Sequence, residues 1–167
     1  MIGKRLGMLS SCGIALLLIV GVAQAAASSP TRVLNFYDTA GVDTLIGGSP
    51  GSKALPPIGG EDILTLRLQN VGTQFGKPTG TTIGRALLTC TVMLVDRTRR
   101  TYDGNCFGIA HVPDGFFTFE GNGALGKHPI AYYAITGGVG AYADARGQIK
   151  VVGHVDGSSS STVMLYS

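Results

Sequence analysis

The chain has 167 residues, 26 glycines, no tryptophan and 14% charged residues, which suits one domain with a short attachment. Its net charge of +3 comes from thirteen lysines and arginines against ten acidic residues, and two of those cations stand at the extreme N-terminus. The remainder is close to balanced, and the one local cluster, Arg97, Arg99 and Arg100, reads as a solvated turn, so no nucleic-acid partner is expected.

The first predicted element is a leader. Lys4 and Arg5 precede an apolar run over residues 13–20, and Ala23-Gln24-Ala25 follows with the small-x-small pattern of a cleavage site. This layout predicts an export signal over 1–25, and a single mature domain over 26–167 in the periplasm or outside the cell. Leu9-Ser10-Ser11-Cys12 looks like a lipoprotein box, but the apolar run lies downstream of it, so Cys12 leaves with the signal. No later segment is long and apolar enough to span a membrane, and none is expected to associate with one after cleavage.

The mature part shows short apolar alternations separated by Gly, Pro, Asp and Ser, without a sustained helical period. Strands are predicted over 32–37, 63–71, 88–95, 102–112, 116–122, 130–136, 145–154 and 162–166. In the second, Leu64, Leu66 and Leu68 share one face. Residues 47–60 and 72–82 read as loops, Val112-Pro113-Asp114-Gly115 as a tight turn, and the serines at 158–161 as a loop tip. If 88–95 and 102–112 form a hairpin turning near Thr98, Cys90 and Cys106 face each other across it. In an oxidising compartment that pair predicts a disulfide. About eight short strands suit a sandwich or a closed antiparallel barrel, and only the barrel removes exposed edges.

Residues 134–147, Ala-Ile-Thr-Gly-Gly-Val-Gly-Ala-Tyr-Ala-Asp-Ala-Arg-Gly, contain a glycine run followed by an aromatic and Ala-Arg-Gly. A dinucleotide fingerprint would need a helix next, and a strand follows instead, so the glycines serve a tight reversal and Arg146 ties a loop. The segment resembles the G-G-T-G-x-F/Y-x-x-A-R-G block of dirigent proteins and their allene oxide cyclase-barrel relatives, with Val139 in place of Thr. Leu34-Asn35-Phe36-Tyr37-Asp38, Ile83-Gly84-Arg85-Ala86 and Leu125-Gly126-Lys127-His128-Pro129 are similar, in the same order, to that family's opening strand and its V-G-R-A and L-G-R-N-P segments.

The resemblance implies an all-β, eight-stranded antiparallel barrel around a pocket for a small hydrophobic or phenolic molecule, without cofactor or metal. It implies stereocontrol of a coupling or a cyclisation, with a non-catalytic binding or structural barrel as the alternative. Carried over by position, Asp38, Glu120 and Lys127 become the catalytic candidates, although Lys127 loses the guanidinium geometry of the family's arginine. Arg85, Phe116, Thr118, Tyr132 and Tyr142 become the ligand-binding candidates. Alternation leaves two choices on the fifth strand: Phe116, Thr118 and Glu120 line the lumen, or Phe117 and Phe119 do. The resemblance also implies a homotrimer packed through outer strands, an interface that an outward Phe117 and Phe119 would suit. His111, His128 and His154 are scattered without metal-ligand spacing, and no G-x-S-x-G elbow is present.

Overall fold

The computed structural model describes residues 29–46, 55–99, 101–126 and 130–166. The predicted leader, Cys12, Arg100 and Lys127 lie outside the described residues. Eight strands follow in chain order: β1 (Arg32–Ile46), β2 (Glu61–Asn70), β3 (Thr82–Asp96), β4 (Thr101–Val112), β5 (Gly115–Gly126), β6 (Ile130–Gly140), β7 (Arg146–Gly153) and β8 (Ser159–Tyr166). Each pairs antiparallel with the next, and β8 returns to β1, which closes the sheet into a barrel.

The predicted strands are all present, but several are longer than their alternation suggested. β1 continues past Tyr37 through a bulge between Ala40 and Val42, so Asp38 stands within a strand instead of ending one. β3 begins at Thr82, taking in Ile83-Gly84-Arg85. Ser159, Ser160 and Ser161 belong to β8 and pair with Asp38, Tyr37 and Phe36 of β1. Serine has little strand preference of its own; closing the ladder to β1 outweighs it.

Barrel closure settles the face on every strand. Phe117 and Phe119 are buried to 1% and 6% exposure, whereas Glu120 is exposed. The small residues of the neighbouring strands explain the choice. A side chain on Gly108 would meet the ring of Phe119 at 2.3 Å, so that glycine is the space the ring fills. The opposite choice would bury the Glu120 carboxylate and strand two phenylalanines in water. An interface built on an outward Phe117 and Phe119 is thereby corrected: both rings are interior.

Cys90 and Cys106 are direct cross-strand partners on the inner face and form the expected disulfide, 16 residues apart in sequence. Closing a loop of that length contributes about 3 kcal/mol. The double variant Cys90→Ala/Cys106→Ala should lose about that much in urea unfolding. An unchanged midpoint would mean that the β3–β4 ladder alone holds the hairpin.

One end of the barrel is closed. After β6 the chain folds back so that the Tyr142 ring packs on Phe117, with ring centroids 5.5 Å apart. The glycine run makes this possible: Gly140 takes φ +71°, and a side chain on Gly138 would stand 2.5 Å from the carbonyl oxygens of Phe116 and Tyr142. Arg32 lies over both Tyr142 and Phe75, 5.4 Å from each ring centre, and pairs with Asp114 at 3.1 Å. Buried Asn70 holds the 72–81 loop beneath, donating to the carbonyls of Gly72 and Gln74 at 3.2 and 3.0 Å. Arg146 donates to the carbonyl of Ala145 at 3.0 Å.

Candidate functional site

The other end opens into a cavity of about 310 Å³ inside the barrel. Its walls are Leu64, Leu66 and Leu68 from β2, Leu88 from β3, and Phe119 and Tyr133 from β5 and β6. The even-numbered leucines of β2 share this face because alternation repeats every two residues. Phe119 and Tyr133 meet edge to face at 5.5 Å. Burial pushes the Tyr133 phenol up to about 12, so this wall stays uncharged at any physiological pH.

Polar groups gather at the mouth. Asp38 is 1% exposed, and its Oδ2 accepts hydrogen bonds from Ser159 Oγ at 3.0 Å and from Ser161 Oγ. Its Oδ1 is buried without a hydrogen-bond partner among the described residues. Burial raises the Asp38 carboxyl to about 6, against the opposing pull of the two serine hydroxyls and the His154 charge. Asp62, also buried, accepts a 2.6 Å hydrogen bond from the Tyr102 hydroxyl, and both residues line the cavity.

The β7–β8 connection supplies the rest of the rim. Asp156 Oδ1 accepts from the backbone N–H of Ser158 at 3.0 Å and from its hydroxyl at 2.6 Å, while the Tyr37 hydroxyl donates to Ser158 Oγ at 2.7 Å. These bonds hold Asp156 below its ordinary value and fix the loop. The loop carries His154, whose Nε2 lies 3.1 Å from Ser160 Oγ, to the cavity rim. The arrangement can hold a flat apolar molecule against leucine and aromatic walls. It presents a carboxyl that gains and loses its proton near neutrality.

Among the described residues, Asp38 is the one catalytic or ligand-binding candidate that lines this cavity, together with Phe117 and Phe119 from the alternative choice of face on β5. Glu120 is exposed on the outer wall, so its expected catalytic place beside the lumen is corrected; the second carboxylate among the cavity's lining residues is Asp62. Phe116 and Thr118 share the outer face with Glu120, Thr118 Oγ1 lying 2.9 Å from Thr136 Oγ1. Tyr132 is 52% exposed, and Arg85 is exposed on the outside of β3. Tyr142 is buried at the closed end, away from the cavity lining. Asp62, Tyr102, His154, Ser159 and Ser161 were missed. The parity of Leu64, Leu66 and Leu68, carried one step back, would have found Asp62.

A scan of family models and a sequence search of curated proteins gave no match. The fold is shared with solved structures, among them these three. A pyocyanin demethylase is similar over 81% of this chain and 100% of its own, at TM-score 0.63 and 19% identity. The pterocarpan synthase dirigent protein GePTS1 is similar over 80% of this chain and 87% of its own, at TM-score 0.55 and 18% identity. The pterocarpan synthase dirigent protein PsPTS1 is similar over 84% and 99%, at TM-score 0.54 and 17% identity.

Proposed function

We propose, from the dirigent-type barrel that the chain shares with these structures, that it is an exported protein binding a small aromatic or phenolic molecule at Asp38. The observation that carries this reading is a buried carboxyl, held near pKa 6, at the polar end of an otherwise apolar cavity. A cavity of about 310 Å³ is within the range of small-molecule sites, which pair apolar walls with a few placed polar groups. The names of the similar structures, a demethylase and two synthases, are those of small-molecule chemistry in those proteins. Export is supported by the leader pattern and by the disulfide.

Near neutral pH Asp38 exists as both acid and carboxylate. It can therefore accept a phenolic proton or return one to a reactive intermediate, while the walls decide which face of the ligand is presented. Self-association is part of the same reading, supported by the exposed Leu87, Phe107 and Tyr132 on the outer wall.

Calorimetric titration with a panel of phenols and aromatic heterocycles tests the proposal. Saturable binding is expected for at least one class, with a loss of ten-fold or more in Leu66→Trp, whose larger ring fills the cavity. Asp38→Asn should keep affinity within a few-fold while removing product selectivity. If no compound binds saturably, the reading fails. If binding survives with selectivity unchanged in Asp38→Asn, the barrel binds its ligand without chemistry at Asp38.

A further inference from the structure

The outer wall carries a feature that the cavity does not use. Arg67 of β2, Arg85 of β3 and His111 of β4 all point outward and are exposed. The register sets Arg67 directly opposite Arg85, and Arg85 directly opposite His111. Adjacent strands lie ~4.8 Å apart, so three basic groups stand in a row roughly 10 Å long. Like charges directly opposite on paired strands repel, and a sheet ordinarily relieves this with a neighbouring carboxylate. Neither arginine has an ion-pair partner among the described residues, where the ion pairs are Arg32 with Asp114 and Arg99 with Asp96.

The row also borders a concavity. Leu68 pairs with Gly84 and Gln69 with Thr82, which leaves Ile83 as an extra residue in β3. Such a bulge bends its strand. The resulting shallow groove is lined by the three basic residues together with Thr82, Ile83 and Pro113, and no carboxylate is among its lining residues.

We propose that this groove is an oxyanion site in which Arg67 and Arg85 together hold a phosphate or sulfate ester, with His111 at its edge. Two planar forks on neighbouring strands match a tetrahedral oxyanion, which offers oxygens to both at once. One carboxylate would satisfy one fork and leave the other unpaired. A bound dianion would turn the repulsion within the row into attraction, which accounts for basic residues placed in direct register. The site is separate from the cavity: its three basic residues face the opposite side of the same strands. The ester could be carried by a free small molecule or repeated along a surface polysaccharide, and both present the same group.

Thermal unfolding of the purified protein at constant ionic strength, with chloride replaced by inorganic phosphate or sulfate, is the test. Sulfate and phosphate stabilise most proteins by exclusion from their surfaces, so the double variant Arg67→Gln/Arg85→Gln is the necessary control. The expected result is a saturable rise in Tm that weakens ten-fold or more in either single variant and disappears in the double variant. Without added oxyanion, Arg67→Gln should unfold no earlier than the unsubstituted protein, because it relieves repulsion. A rise of equal size in the double variant overturns the proposal. Heparin identifies the source: binding far tighter than inorganic sulfate points to a repeated ester, and equal binding per sulfate to a free one.

Discussion

Asp38→Asn is expected to remove a loss of stability, roughly 3 kcal/mol in size, that the unsubstituted protein suffers as pH rises from about 4 to about 7. The sign follows from where the carboxyl titrates. In the unfolded chain it ionises near 3.8, and in the barrel near 6, because burial opposes the charged form. Below 3.8 the group is protonated in both states, and its contribution to the fold is fully present. As pH climbs towards 6 the unfolded chain surrenders the proton more readily, and stability falls. Above 6 both states are ionised and the contribution is gone. Asparagine has no proton to lose, and its carbonyl can accept the Ser159 and Ser161 hydroxyls that now reach Asp38 Oδ2. Urea unfolding of both proteins at pH 4, 5.5 and 7 measures the effect as a difference, which cancels the titration of every other carboxylate. A difference that stays constant with pH would remove Asp38 as the group that titrates near neutrality, and the proposed proton chemistry with it.

Phe117→Ala is expected to cost about 3–5 kcal/mol, the usual loss for a large aromatic deleted from a core that cannot collapse around it. Phe117 is 1% exposed and stands between Tyr142 and Phe119, with ring centroids 5.5 and 6.4 Å away. It lines the cavity on one side and supports the Tyr142 plug on the other. The hydrogen-bonded ladders of β4, β5 and β6 hold the surrounding backbone in place, so little relaxation can fill the space. The cavity would extend towards the closed end and accept longer ligands. Phe116→Ala provides the matched comparison, since Phe116 is half-buried on the outer wall against His111, 5.4 Å away. It should cost about 1 kcal/mol or less. Equal losses in the two variants would contradict the assignment of faces on β5.

The strands, the cysteine hairpin and the 112–115 turn were legible because each depends on residues near one another in sequence. Alternation marked the strands, paired cysteines marked a register, and Pro-Asp-Gly marked a reversal. Asp38 was legible through the resemblance of 34–38 to a known opening strand. Its setting was not: a lone acidic residue after an apolar run looks like the end of a strand, and only the bulge at Ala40–Val42 and the ladder to β8 show otherwise. The serines of 158–161 misled for the same reason. Their composition is that of a loop tip, yet three of them close the barrel and two hydrogen-bond to Asp38.

By itself, the sequence determined about eight antiparallel strands, a cysteine pair placed to bridge a hairpin and an acidic site candidate, because alternation and turn residues act locally. The tertiary structure decided which face of each strand lies inside. Period-two alternation divides a strand into two sets but carries no sign, and only closure of the ring, with Gly108 making room for Phe119, sets it. That choice sent Glu120 outward and placed Asp62 and Tyr102 in the cavity lining with Asp38. It also aligned Arg67, Arg85 and His111, which are remote in sequence, in one row, because cross-strand register is a property of the assembled sheet.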